Sequence, residues 1–293
     1  MLKMIATLEE TLNRHTAFLA ERGVESPRLQ SELLVADVLQ MPRLNLYLDS
    51  KRLLSPEAAR QVEALVQRRA NREPLQQILG ATSFCGLEIA VRQDVFIPRP
   101  ETEVLAERAL KVLRSFQSSE REPIRVLDFG TGTGCLPIYL AVNVPAAECF
   151  AIDKSQAALD LAGANAATHG VSDRIRFVLA DSVAALPETL RFHLVVSNPP
   201  YIPTAEIQTL EPEVRQFDPI AALDGGADGL DCYRQLAGSL PRILAPGGRW
   251  LTEFGDGQAD ALKELLQSSG WHAEDFWPDY SGRLRLFQAR IND

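Results

Sequence analysis

The chain has 293 residues, 46% hydrophobic and 24% charged, with 30 basic and 39 acidic side chains and a formal net charge of −9. This length accommodates two domains of ordinary size, and the composition is that of a soluble globular protein with no run able to span a bilayer. The charge is uneven: residues 1–74 carry 11 basic and 10 acidic side chains (+1) and the remainder 19 and 29 (−10), which argues against a general nucleic-acid surface.

The N-terminal "MLKMIATLEETL" meets Glu9 and Glu10 too early for a secretory signal and lacks the Arg/Ser-rich character of a transit peptide. The expectation is a cytoplasmic protein without membrane association. Cys85, Cys135, Cys149 and Cys232 are scattered, with no C-x-x-C pair and no clustered histidines. That pattern speaks against a zinc site or a disulfide framework, so free thiols and no metal are expected.

Residues 1–74 are predicted to form a small helical domain. Leu8, Leu12 and Leu19 recur at helical spacing, as do Leu33, Leu34, Val38 and Leu39. Ser26-Pro27 and Ser55-Pro56 each resemble an N-cap followed by proline at the first helical position, and Val62, Leu65 and Val66 then share one face. No catalytic constellation occurs here, so partner recognition or packing is the simplest role. Residues 75–97 turn β-branched and aromatic around Gly86 and are predicted as a hairpin linker.

Residues 98–293 alternate strands with helices. "IRVLDFG", "ECFAID", "IRFVLAD" and "FHLVVSN" are predicted strands, with helices at "CLPIYLAVN" and at "SQAALDLAGANAATHG", the latter ending at Gly170. "GGRWLTEFG" follows a glycine turn, "QADALKELLQSSG" is a further helix, and "RLRLFQARI" closes the chain as a strand. Such alternation predicts an α/β fold with a mostly parallel, doubly wound sheet.

Three strand tips carry chemistry. In "VLDFGTGTGC" a buried strand ends at Asp128, and Gly130, Gly132 and Gly134 turn the chain into a helix. Glycines there let a ligand approach the backbone, and the helix start offers free N–H groups. The spacing G-x-G-x-G is not the G-x-G-x-x-G of dinucleotide sites. Asp153 ends the next strand, 23 residues past Gly130, where a carboxylate can accept both hydroxyls of a ribose. Asp181 and Ser182 end the third strand; they suit an adenine edge and equally suit helix capping.

The fourth predicted strand runs into Asn198-Pro199-Pro200-Tyr201. Neither proline can donate to a sheet ladder, and each stiffens the residue before it in an extended state. The Asn198 side-chain carbonyl and the Pro199 main-chain carbonyl are two fixed acceptors, able to hold both hydrogens of an –NH2 group. Tyr201 offers a flat face for a planar amide or base.

"LDFGTGTG", "AID" and "NPPY" in that order resemble the class I (Rossmann-like) methyltransferases that use S-adenosylmethionine to modify a planar amino group. "PLQQILG", "FIPRPETE", "FDPIAALDGGADGLDCYR" and "LTEFGDGQ" are similar to the PrmC/HemK family of protein-(glutamine-N5) methyltransferases of peptide chain release factors. The resemblance spans nearly the whole chain, diffusely before Pro74 and specifically after it. It implies a doubly wound sheet with a C-terminal antiparallel strand beside a small all-α domain. It further implies methylation of the glutamine in a Gly-Gly-Gln loop, with release factors as partners and S-adenosylhomocysteine as product.

The residues expected at the cofactor are Gly130, Thr131, Gly132, Thr133, Gly134, Asp153, Asp181, Ser182 and Asn198. Asn198, Pro199, Pro200 and Tyr201 are expected to bind the acceptor and support the transfer. The chain departs from the family pattern at Gln77, at Pro137 early in the cofactor-loop helix, and at His193, which reads as an edge or packing residue. "IPRPETE" divides between two readings: Pro100 starting a helix with Glu101 and Glu103 at its positive end, or Arg99 and Glu101 closing the site. Three alternatives stay open at this level: a ribosomal-protein glutamine as acceptor, a DNA or RNA base amino group, and a scaffold that merely binds a nucleoside.

Overall fold

The computed structural model describes residues 6–116 and 123–292; the extreme N-terminus, where a targeting signal is not expected, lies partly outside the described residues. The chain divides into two compact units, Met1–Gly80 and Ala81–Asp293. In the first unit lie helices α1 Leu8–Glu21, α2 Pro27–Leu39, α3 Asn45–Leu48, α4 Pro56–Ala70 and α5 Leu75–Leu79. The predicted apolar face closes a core in which Leu8, Leu19, Leu34, Val62 and Val66 are fully buried. Ser55 caps α4 through its hydroxyl, which accepts from the Ala58 N–H at 3.1 Å. Ser26 does not cap α2: its backbone is left-handed (φ 45°), which turns its hydroxyl away from the first-turn amides. Thr7, not anticipated as a cap, forms a reciprocal box with Glu10 at α1. The unit runs past residue 74 to Gly80 because α5 adds Ile78 to the same core.

The hairpin expected over residues 75–97 is confined to β1 Ala81–Phe84 and β2 Leu87–Ala90, paired antiparallel about Cys85 and Gly86, both at positive φ. Pro100 is the first residue of α6 Pro100–Ser115. The main sheet then assembles from β3 Ile124–Phe129, β4 Ala147–Asp153, β5 Ile175–Leu179, β6 Phe192–Ser197, β7 Leu244–Glu253, β8 Trp271–Pro278 and β9 Leu284–Ile291. Their order is β5-β4-β3-β6-β7-β9-β8, with β9 antiparallel between β7 and β8. Among the described residues, strand β8, which carries the sequence "WHAEDFWP", is the one sheet element absent from the sequence expectation. It is an edge strand with mixed burial, so no clean alternation marks it.

The helices of this unit are α6, α7 Cys135–Asn143, α8 Gln156–Thr168, the short α9 Pro212–Phe217 and α10 Ile220–Leu223, α11 Asp231–Ser239 and α12 Ala259–Ser268. Strand residues split between the two sheet faces. Val126, Leu194, Val196 and Leu251 join the core beneath α6 and α7, whereas Leu127, Val195 and Trp250 join the core beneath α11 and α12. Both faces of the parallel part are therefore covered, which is what continuous apolar runs such as "HLVVS" require. Pro137 stands third in α7, where an N–H has no intrahelical acceptor, so its missing donor is harmless. His193 accepts the Arg125 N–H on Nδ1 at 3.1 Å and packs edge-on against Phe116, a packing residue far from the strand tips. Gln77 lies buried in α5 of the first unit.

One side chain ties the hairpin to the glycine turn. Asn165 of α8 accepts from the Ala90 N–H at 3.0 Å and donates to the Ala90 and Thr133 carbonyls at 3.1 and 2.9 Å. Replacing it leaves one donor and two acceptors without their partner. Asn165→Ala is expected to destabilise the fold by roughly 2–4 kcal/mol in urea titrations. A loss below about 1 kcal/mol would mean that these groups find water at no penalty.

Candidate active site

The strand register sets the site. Phe129 pairs with Ile152 on one side and Ser197 on the other, Asp153 pairs with Leu179, and Ser197 pairs with Thr252. One step further along each strand, Gly130, Asp153, Asn198 and Glu253 follow in a row along the carboxyl edge of the sheet. That is where the connecting loops part and leave a crevice.

A cavity of about 680 Å³ opens there, lined by the glycine turn, Asp153, Asp181, Ser182 and Asn198 among others. Gly130, Gly132 and Gly134 all have positive φ, a conformation that L side chains adopt at a penalty. A Cβ at Gly130 or Gly132 would point into open space, whereas at Gly134 it would meet the Ala162 Cβ at 2.9 Å. The first two glycines thus shape the cavity wall, and the third lets α7 approach α8. The Gly132 N–H donates to one Asp153 oxygen and the Ser155 N–H to the other, each at 2.9 Å. Each oxygen keeps a lone pair, so the carboxylate is fixed and still able to accept from a diol.

Beneath the turn, both Asp128 oxygens and the hydroxyls of Thr131 and Thr133 are buried without a well-formed hydrogen bond among the described residues, Thr131 being the nearest donor to Asp128. Burial pushes the Asp128 carboxyl up to about 7. Such poorly satisfied groups under a glycine cradle, next to a carboxylate with free lone pairs, fit a cationic nucleoside of the S-adenosylmethionine type. Ser182 caps a short turn by accepting the Ala184 N–H at 3.2 Å, and the Asp181 carbonyl accepts from Gln235 Nε2 at 2.9 Å. The capping use of Ser182 is therefore realised, while the exposed Asp181 side chain stays at the cavity rim.

A second, smaller cavity of about 200 Å³ lies beyond Asn198, lined by Phe96, Arg99, Pro199, Tyr201, Leu210 and Val214 among others. Asn198 lines both cavities. Its Nδ2 donates to Thr102 Oγ1 at 2.9 Å, and the Pro199 carbonyl takes no backbone hydrogen bond among the described residues. Tyr201 lies against the small cavity with its hydroxyl donating to Glu253 Oε1 at 3.1 Å, and burial pushes that phenol well above its ordinary range. The motif is pressed from behind by the loop "DGGADGLD". A Cβ at Gly229 would lie 2.2 Å from the Tyr201 carbonyl oxygen, and one at Gly225 would lie 2.8 Å from the Pro200 carbonyl oxygen.

Arg99 caps no amide; its guanidinium pairs with the buried Asp218 and lies 4.9 Å over the Phe96 ring. Burial still pushes the Asp218 carboxyl up to about 6. Thr102 and Glu253, both buried, are hydrogen-bonded neighbours of the motif that the sequence reading missed; Thr102 donates to Glu253 Oε2 at 2.8 Å. The available signal was Glu253 at the tip of an otherwise apolar strand, one residue past the register partner of Ser197. Among the described residues no group of three or more His, Cys, Asp or Glu is arranged to hold a metal ion. The four cysteines are free.

A seven-stranded sheet of this order, with a glycine turn, an Asp fixed by two backbone N–H groups and an Asn-Pro-Pro-Tyr motif in one crevice, defines a class I S-adenosylmethionine-dependent methyltransferase. Comparison with known proteins agrees. Residues 10–80 match the family model for the PrmC N-terminal domain and residues 109–211 that for the methyltransferase small domain. The chain is 42% identical over 289 residues to the release factor glutamine methyltransferase of Geobacter sulfurreducens, covering 98% of each chain. It is also 42% identical to that of Rhodospirillum rubrum, covering 97% of this chain and 85% of that one. The hMettl16 catalytic domain in complex with the MAT2A 3'UTR hairpin 6 shares the fold at a TM-score of 0.55 and 14% identity, covering 83% of this chain and 86% of that one. The chain belongs to the release factor glutamine methyltransferase family.

The Asp128 carboxyl gives a stability test with a defined sign. Its folded pKa is raised from 3.8 to about 7, so the folded state holds the proton more tightly than the unfolded chain. That contribution is complete below the unfolded value and is lost as pH rises through the folded value. Asp128→Asn, neutral throughout, is expected to gain in melting temperature over the unmodified protein as pH rises from about 4 to about 8 in calorimetric scans. Parallel curves would show that Asp128 does not titrate in that window.

Proposed function

We propose that this protein transfers the methyl group of S-adenosylmethionine to the side-chain amide nitrogen, N5, of the glutamine in the Gly-Gly-Gln motif of peptide chain release factors. The observation that carries this reading is the position of Asn198, which walls both the large cavity and the small one. The large cavity takes the nucleoside, through the glycine turn and Asp153. The small one takes the flat amide, between Pro199 and Tyr201. When bound, S-adenosylmethionine supplies a sulfonium methyl carbon that is already a good electrophile.

The work of the chain is on the nucleophile. An amide nitrogen lends its lone pair to its own carbonyl and attacks poorly. Asn198 Oδ1 and the Pro199 carbonyl accept its two N–H bonds and fix the plane in which the lone pair lies. As positive charge develops on the nitrogen, both acceptors bind it more tightly, which favours the transition state over the ground state. The surplus proton then leaves to water.

The small cavity selects an amide but not one glutamine among many, so specificity rests on a second surface. The near-neutral helical unit, matched by the PrmC N-terminal model and without chemistry of its own, is that surface in this reading. The acidic balance after residue 74 favours a protein acceptor over a nucleic-acid base. A release factor as partner places the reaction in the cytoplasm, where translation ends, with no membrane. Among the described residues no helix is long and apolar enough to cross one.

Two variants test the assignment. Asn198→Ala is expected to lower the transfer rate about 10²–10³-fold with little change in S-adenosylmethionine affinity, read from steady-state kinetics and calorimetry. Near-normal turnover would remove Asn198 from the mechanism. Asp153→Ala should mainly weaken cofactor binding, by roughly 1.5–3 kcal/mol, in the same calorimetric titration. A dissociation constant that barely moves would leave Asp153 as a brace for the glycine turn alone.

A further inference from the structure

A carboxamide carries an oxygen on one side and an NH2 on the other, nearly equal in size, so packing alone does not choose which faces the acceptor. Asn198 can grip an amide N–H only with Oδ1 turned to it. Rotated by half a turn, it would present an NH2 to another NH2. Something has to set its sense.

The neighbouring hydrogen bonds do so. Thr102, 3% exposed on the first turn of α6, has a single hydroxyl proton and gives it to Glu253 Oε2 at 2.8 Å. At Asn198 the same oxygen can then only accept, so the group 2.9 Å away must be Nδ2. Glu253, 1% exposed at the tip of β7, accepts a second hydrogen bond at Oε1 from the Tyr201 hydroxyl. A carboxylate only accepts, and both its neighbours here donate to it. The chain of bonds therefore runs one way, from Asn198 through Thr102 to Glu253. Asn198 Oδ1, on the far side of the carboxamide, takes no hydrogen bond among the described residues.

Other groups hold Glu253 in place. The Tyr233 hydroxyl donates to its main-chain carbonyl at 2.8 Å, and Ser197 and Thr252 join β6 to β7 beside it at 2.7 Å. We propose that Thr102 and Glu253 are positioning residues for methyl transfer, which fix the Asn198 amide with its oxygen towards the acceptor nitrogen. This rests on the reading of Asn198 as the amide acceptor given above.

The test is methylation of full-length release factor at about pH 8, where Glu253, whose carboxyl burial pushes up to about 7, is ionised. Single-turnover transfer of a labelled methyl group keeps slow variants measurable, and calorimetry follows cofactor affinity. Thr102→Val, equal in shape but without the hydroxyl, is expected to lower the transfer rate by about 10²-fold while the S-adenosylmethionine dissociation constant changes less than about twofold. Thr102→Ser, which keeps the hydroxyl, should recover most of the rate. Glu253→Gln cannot accept from both Thr102 and Tyr201, and should lose rate to a similar extent; it carries the test if Thr102→Val fails to fold.

The deciding measurement is the double variant. If Thr102 acts through Asn198, adding Thr102→Val to Asn198→Ala should change the residual rate less than about twofold. A full additional loss in the double variant, or an undiminished rate in Thr102→Val, would overturn the positioning role. A near-normal rate in Asn198→Ala alone would instead overturn the acceptor reading on which it stands, so the two failures are distinguishable.

Discussion

Parallel pairing of β3 with β4 and with β6 places three strand ends side by side, and everything at the site depends on that alignment. The side-chain period of a strand is two residues, so a slip of one in any pair would turn Asp153, Asn198 or Glu253 into the sheet faces. The register is held by burial: Leu127, Val195 and Trp250 on one face, Val126, Leu194 and Leu251 on the other, all fully buried. The hydrophobic layers thus fix the positions of the polar groups at the strand ends.

Three buried carboxyls lie at this edge of the sheet. Asp128, Asp218 and Glu253 are all buried carboxyls raised in pKa by desolvation, and each lies within or beside the crevice. Such groups oppose folding unless neighbours satisfy them. Asp218 has the Arg99 guanidinium and Glu253 has two hydroxyls, whereas Asp128 has only the neighbouring Thr131 hydroxyl and no well-formed hydrogen bond among the described residues. The distribution reads as stability given up where a charged ligand is to be met.

Close backbone approach is the complementary device. Gly229 and Gly225 let one loop lie directly against the carbonyls of Tyr201 and Pro200, and Gln258 Nε2 donates to the Tyr201 carbonyl at 2.9 Å. The Asn-Pro-Pro-Tyr backbone is stiffened by its own prolines and clamped from behind. The hairpin reaches the other side of the crevice through Asn165, so the glycine turn is braced by an element more than forty residues earlier in the chain.

The sequence by itself determined the fold class, the helical and α/β halves, and the strand tips that carry Gly130, Asp153, Asp181 and Asn198. These are local matters: apolar runs, glycine and proline punctuation, and a motif whose chemistry follows from its own residues. The edge strand β8, the left-handed Ser26 and the limit of the helical unit at Gly80 were decided elsewhere, by packing that outweighs weak local preference, whereas the Thr7–Glu10 box was legible in the sequence and overlooked. The bonds among Thr102, Asn198 and Glu253 span sequence separations of 96 and 151 residues. No spacing rule relates such positions; only the parallel register and the seating of α6 over the strand tips bring them within hydrogen-bonding distance.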